Sequence, residues 1–111
     1  MAGKFVTFTG KDGKHYFSLK AGNGEVILKS QGYKAEKDCA NGIESVRRNS
    51  QVEERFETKT SADEKHYFVL KATNGQIIGQ SQMYKTASGC ANGIASVGRN
   101  AADAKVEASA D

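Results

Sequence analysis

His15, His66, Cys39 and Cys90 are the residues in this chain whose types could do chemistry. A zinc site wants about four nitrogen or sulfur ligands, and these four would make one set. Their spacing argues against it. Each histidine stands 24 residues before its cysteine, with no Cys-x-x-Cys or Cys-His pairing. A nucleophilic cysteine needs a nearby base and a lowered pKa. Nothing in the sequence supplies either, so Cys39 and Cys90 read as small core residues. The carboxylates show no pairing suited to acid–base work. No phosphate-binding loop, nucleophile elbow or His-Glu-x-x-His occurs. Gly10-Lys11-Asp12-Gly13 matches the Gly-x-x-Gly of some RNA-binding loops, but it joins two strands rather than two helices and reads as a hairpin turn. The expectation is no catalytic residue, no metal and no cofactor: a protein that is not an enzyme.

The two His–Cys pairs are equivalent because the chain repeats itself. HYFSLKAGNGEVILKSQGYKAEKDCANGIESVRRN, His15 to Asn49, returns as HYFVLKATNGQIIGQSQMYKTASGCANGIASVGRN, His66 to Asn100, with 22 of 35 positions identical. A unit of about 50 residues buries too little surface to be stable alone. The 111 residues therefore predict one domain over 1–111, with repeat one at 4–51, repeat two at 52–108 and a frayed tail at 109–111. A monomer with an internal pseudo-dimer follows.

Sixteen basic and thirteen acidic residues leave a net charge of +3, with the signs interspersed. That balance permits nucleic-acid binding without requiring it. Two cysteines are too few for a secreted disulfide scaffold. The opening residues lead into no long apolar run, so no signal peptide is expected, and no apolar run of about 20 residues occurs in the sequence. The sequence predicts a cytoplasmic protein with reduced thiols and no membrane partner.

The elements that must carry these residues follow from periodicity. Lys4–Thr9, His15–Ala21 and Glu25–Ser30 read as strands. Asn23-Gly24 predicts a two-residue type I′ hairpin. That register puts Leu19 opposite Leu28 and Phe17 opposite Ser30 on one side. On the other it puts Lys20 opposite Ile27, Ser18 opposite Lys29 and Tyr16 opposite Gln31. Lys34–Arg48 switches to helical spacing, with Ala35, Cys39, Gly42, Ile43 and Val46 on one stripe and Lys37, Glu44, Arg47 and Arg48 facing solvent. Gly42 on the buried stripe would let the helix approach the sheet closely. Asn49 and Asn100 sit where a left-handed residue can end a helix. Val52–Thr60 is either one strand or two, and Lys105–Ala108 hints at a short closing strand. The fold class expected is α+β: two tandem β-β-β-α(-β) repeats about a pseudo-two-fold, forming one antiparallel sheet with both helices on one face.

Phe17-x-Leu19-Lys20-Ala21-x-Asn23-Gly24, Ser30-x-x-Tyr33 and Gly42-Ile43-x-Ser45-Val46 occur with their second copies. The copies are Phe68-x-Leu70-Lys71-Ala72-x-Asn74-Gly75, Ser81-x-x-Tyr84 and Gly93-Ile94-x-Ser96-Val97. With them the chain resembles the YegP-like family of small, mostly bacterial proteins over nearly its whole length. The resemblance implies a β-rich α+β fold of tandem units that exchange C-terminal strands to complete one sheet. It implies no activity.

What remains is a surface. The helix-free sheet face is expected to carry Tyr16, Lys20, Ile27 and Lys29, then Tyr67, Lys71, Ile78 and Val69, with Val6 and Phe8 joining. Beside the reading as an ordinary solvated face, the function expected of it is a protein-interaction or structural role through an apolar patch, and the alternative is a Tyr/Lys platform for single-stranded nucleic acid.

Overall fold

The computed structural model describes residues 3–108; the expected tail at 109–111 lies outside them. The first unit holds strands β1 (Lys4–Thr9), β2 (His15–Lys20) and β3 (Val26–Lys29) and helix α1 (Glu36–Asn49). The second holds β4 (Phe56–Thr60), β5 (His66–Lys71), β6 (Ile77–Gln80), α2 (Ala87–Ala101) and β7 (Lys105–Ala108). All seven strands form one sheet in the order β4-β5-β6-β3-β2-β1-β7. Neighbours are antiparallel except β1 and β7, which run parallel, so the sheet is mixed. The two units meet where β3 pairs with β6 through the single pair Lys29–Gln80.

Both helices lie on the side of Phe5, Phe17, Leu19, Leu28, Phe68 and Leu70. These residues form one core with Cys39, Ile43 and Val46 of α1 and Cys90 and Val97 of α2. Six of the strand residues are fully buried, the pattern of a sheet with one covered face.

The hairpins differ from the expected two-residue turn. Gly24 donates to the Ala21 carbonyl at 2.9 Å, and Ala21 donates to the Glu25 carbonyl at 2.8 Å. The loop is therefore three residues, Gly22 to Gly24, and only Gly24 has positive φ, at 88°. Asn23 does not enter the left-handed region because its side chain has another use: its Oδ1 accepts the Glu25 N–H at 3.0 Å, an Asx turn. The longer loop leaves one residue over. Leu19 still pairs with Leu28 and Ser18 with Lys29, but Lys20 pairs with Val26, and Ile27 is the bulged residue. The second unit repeats this, with Lys71 opposite Ile77 and Ile78 bulged. A bulge re-aims a side chain. Ile27 and Ile78, expected on the open face, are 4% and 7% exposed and belong to the core. Gln31 does not face Tyr16; Tyr33 instead bridges to His15 beyond the strand end.

The first turn of each unit has the same three-residue form. Gly13 takes φ 78° in unit one, while Glu64 takes φ 66° in unit two. A non-glycine in that region costs about 1 kcal/mol or more. Glu64→Gly should raise stability by about 1 kcal/mol in a urea melt, and an unchanged midpoint would show that Glu64 is not strained.

Val52–Thr60 holds a single short strand, β4 at Phe56–Thr60, rather than one long strand or two. A 3-10 turn at Glu53–Arg55 leads straight into β4. A separate strand parallel to β4, matching β7 beside β1, would need a return connection, because parallel neighbours cannot be joined tightly. The chain has no residues to spare there. Strand exchange is therefore one-sided: β7 of unit two completes the edge of unit one.

Two helix details also differ from expectation. Asn49 and Asn100 are buried within the helices and do not cap them in a left-handed conformation. Each side-chain amide donates to a carbonyl one turn back, at 2.8 Å, to Ser45 and Ser96 respectively. Arg47, expected in solvent, has its guanidinium carbon 5.2 Å from the Phe5 ring centroid. It donates to the Ala101 and Ala102 carbonyls at the end of α2, where a cation meets the negative end of the helix dipole.

Candidate functional site

The residues that could do chemistry are placed for packing. Cys39 and Cys90 are buried free thiols. Burial pushes both thiol pKa values up, which keeps the thiol form and disfavours the nucleophilic thiolate. Among the described residues, no group of three or more His, Cys, Asp or Glu is arranged to hold a metal ion. Tyr33 stacks on Phe17 at 6.3 Å and Tyr84 on Phe68 at 6.2 Å. Burial raises the phenol pKa of both, so they remain neutral packing groups.

The helix-free face is the surface left. Alternation along the strands places Tyr16, Lys20, Tyr67 and Lys71 on it, as expected, and the bulges remove Ile27 and Ile78. The pairing sets the rows on this face and brings Lys105 of β7 to it, while Lys29 stays opposite Ser18 as the hairpin register predicts. Lys105, Lys4 and Lys20 form a row across β7, β1 and β2. Lys29 and Ser18 are paired in the next row, and Lys59 pairs with Tyr67 on β4 and β5. The face thus carries six lysines, Lys4, Lys20, Lys29, Lys59, Lys71 and Lys105, against two glutamates, Glu57 and Glu107. Both glutamates are engaged: Glu107 lies 3.6 Å from Lys4, and Glu57 pairs with Lys71. The hydrogen bond from Lys71 holds the Glu57 carboxyl below its usual range. Among the described residues, Lys20, Lys29, Lys59 and Lys105 have no carboxylate within ion-pair distance.

One aromatic pair stands at the other end of this face. The Phe8 and Tyr16 rings stack with centroids 5.5 Å apart and planes 13° apart. Tyr16 is held in place. Its hydroxyl donates to the Asp12 carboxylate at 2.6 Å, and Gly10 and Gly32 leave room for the ring, since an added Cβ on either would come within about 3 Å of it. Phe8 is the exposed member, at 41%. Unit two has no such pair, because Lys59 takes the place of Phe8. Val69 shares the face yet is 1% exposed, flanked by Glu57 and Gln80 on the adjoining strands; long polar side chains commonly cover apolar surface with their stems.

The Asp12–Tyr16 bond has a measurable consequence. It lowers the Asp12 pKa and raises that of Tyr16. Asp12's contribution is present above the ordinary carboxylate pKa and lost as pH falls through its lowered value; that of Tyr16 is present below the ordinary phenol pKa and lost as pH rises through its raised value. The bond therefore persists across the neutral range. Tyr16→Phe should move the Asp12 titration upward in an NMR pH series, and an unmoved titration would show that the hydroxyl does not hold the carboxylate.

Sequence reasoning missed the Lys4–Lys105 half of the row because nothing local to Lys105–Ala108 says which edge that strand joins. Lys4 itself was within reach, since it shares the alternation of Val6 and Phe8.

Comparison with known proteins fits this description. A family model described as "Domain of unknown function (DUF1508)" matches residues 11–57 and again 61–107. The UPF0339 protein YegP of Escherichia coli strain K12 is 53% identical over 100 residues, covering 90% of this chain and 91% of that protein. The solution NMR structure of yegP from E. coli superimposes with a TM-score of 0.92 at 50% identity, covering 97% of this chain and 93% of that one. The NMR structure of a UPF0339 protein from Shewanella oneidensis gives 0.91 at 42% identity, covering 97% and 92%.

Proposed function

The chain belongs to the DUF1508 family, with two copies of its domain, and from that premise we propose that it is a non-enzymatic binding module whose helix-free sheet face takes single-stranded nucleic acid. The observation that carries this reading is the segregation of charge. The face gathers six lysines and two already-paired glutamates, in a chain whose net charge is only +3. A row of lysines tracks a phosphate backbone, and an exposed aromatic gives a base a surface to stack on, contributing about 1–3 kcal/mol per base. Lys20, Lys29 and Lys105 would meet phosphates; Phe8, backed by Tyr16, would meet the base.

Ile27 and Ile78 leave this face for the core, but the same bulges set Val26 opposite Lys20 and Ile77, 41% exposed, opposite Lys71, so the face keeps apolar residues beside its lysines. A protein partner with an acidic surface is the competing occupant. Buried protonated thiols, and the absence of any described helix long and apolar enough to cross a membrane, are compatible with the cytoplasmic setting that the sequence suggests.

Charge reversal tests the reading. Lys20→Glu with Lys29→Glu should abolish binding of a short single-stranded oligonucleotide in fluorescence anisotropy. The same change at Lys37, exposed on α1, should leave it intact. With about three phosphate contacts, affinity should fall about 20-fold between 50 and 200 mM salt. Binding that ignores both the reversal and the salt would sink the proposal.

A further inference from the structure

The two ends of the sheet ought to be alike, and they are not. On one edge, β7 lies parallel to β1, with Val106 beside Phe5 and Ala108 beside Thr7. Val106 and Ala108 line a cavity with Ala40 and Ile43 of α1. Underneath, Phe5 is 0% and Ile43 2% exposed. On the other edge β4 repeats the pattern of β1, Phe56-x-Thr58-x-Thr60 for Phe5-x-Thr7-x-Thr9. Ala91 and Ile94 of α2 stand where Ala40 and Ile43 stand on α1. Yet among the described residues β4 pairs only with β5, and its equivalents of Phe5 and Ile43, Phe56 and Ile94, remain partly exposed. Between β4 and α2 lies a groove of about 550 Å³, floored by Phe56 and Thr58, walled by Ala91, Ile94 and Gly98, and bounded at one end by Ser50, Gln51 and Glu53 of the segment that leads into β4. Gly98 is the equivalent of Arg47, whose side chain roofs Phe5 in unit one. Among the described residues the strand is absent at this edge, and Gly98 has no side chain to roof Phe56; Gln51 donates to the Gly98 carbonyl at 3.0 Å instead.

We propose that the outer edge of β4, with this groove, is a vacant strand slot. It accepts an extended peptide from a partner protein, running parallel to β4 and patterned like β7. The molecule itself supplies the template. A β-branched apolar residue would lie beside Phe56 and face the groove, as Val106, itself 51% exposed, lies beside Phe5 and lines the cavity with Ile43. A small residue two positions on would lie beside Thr58, as Ala108 lies beside Thr7. Backbone hydrogen bonds to the free edge would give affinity, and the alternate side chains specificity. A second copy of this chain is the weaker occupant. Its own β7 is tethered close to β1 by the short segment Ala102–Ala104, so the intramolecular seat has the higher effective concentration. Moving β7 to another copy would only exchange one vacancy for another.

The test uses the whole protein and a capped synthetic peptide with the sequence of residues 102–108, ADAKVEA. In amide NMR, the peptide should shift Phe56–Thr60, Ile94 and Gly98 and leave β1 unmoved. A peptide with aspartate in place of its valine should shift nothing. Gly98→Arg, which restores the roof, should abolish the shifts; should that variant not fold, the aspartate peptide gives the same answer. No shift at any soluble concentration would overturn the proposal. So would shifts on β1, which would mean displacement of β7, or β4 shifts that grow with protein concentration alone, which would make a second copy the occupant. Glu57 and Lys59 of β4 lie on the lysine face as well, so the two readings are told apart at Lys4, Lys20 and Lys29, which the peptide should leave unmoved and an oligonucleotide should shift.

Discussion

Gly79→Leu should lower stability by about 3 kcal/mol or more, and Leu28→Gly should do the same, while the two together should restore much of the loss. Leu28 and Gly79 are equivalent positions of the two units, and they meet at the pseudo-dyad. Leu28 is fully buried, and a Cβ on Gly79 would stand 2.7 Å from its Cγ and Cδ2. Strict symmetry would set two leucines in space for one, so the chain keeps a leucine on β3 and a glycine on β6. A leucine at 79 overpacks a well-filled core, typically by 1–3 kcal/mol and occasionally more. Removing Leu28 leaves a cavity and loses about 2–5 kcal/mol. The double exchange hands the place to the equivalent residue across the dyad. A double-mutant cycle in urea should therefore show coupling of at least about 2 kcal/mol. Additive losses would mean that the two residues do not share that space.

Gly42→Ala and Gly93→Ala should each destabilise by about 1–2 kcal/mol. Helix propensity alone says the opposite, since alanine is about 1 kcal/mol better than glycine in a helix interior. Packing decides the sign. A Cβ on Gly42 would lie 2.5 Å from the Tyr33 hydroxyl, 2.8 Å from its Cζ and 3.1 Å from Phe17. On Gly93 it would lie 2.7 Å from the Tyr84 Cζ and 3.0 Å from Phe68. The tyrosine ring cannot retreat, because it is stacked on the phenylalanine behind it. The overpacking term therefore exceeds the propensity gain. Thermal melts that rose in either variant would show that the rings have room to move.

These glycines show what the sequence makes legible and where it stops. Gly42 on the apolar stripe already signals a close approach of helix and sheet; that the approach admits a tyrosine from Ser30-x-x-Tyr33 depends on three segments meeting. The repeat, the strand runs and the Leu19–Leu28 pairing follow from alternation, which is local. The loop length did not follow, because Asn-Gly serves both a two-residue and a three-residue turn. Only the Asn23 side chain, bonded to the Glu25 amide, separates them. That one residue carried Ile27 and Ile78 off the candidate face. Arg47 lay on the solvent side of its own helix, and nothing local says that the end of α2 and Phe5 wait there. The position of β7, and with it the Lys105–Lys4–Lys20 row, rests on a long-range parallel pairing that leaves no mark in the four residues Lys105–Ala108.

The central claim is that the lysine-rich, helix-free face binds single strands. The most direct test is a backbone amide NMR titration with short single-stranded RNA and DNA, at low and then physiological salt. The account predicts shifts at Lys4, Phe8, Tyr16, Lys20, Lys29 and Lys105 that weaken with salt but survive at physiological strength, with both helices unmoved. An absence of shifts, or diffuse ones that vanish as salt is raised, would contradict it.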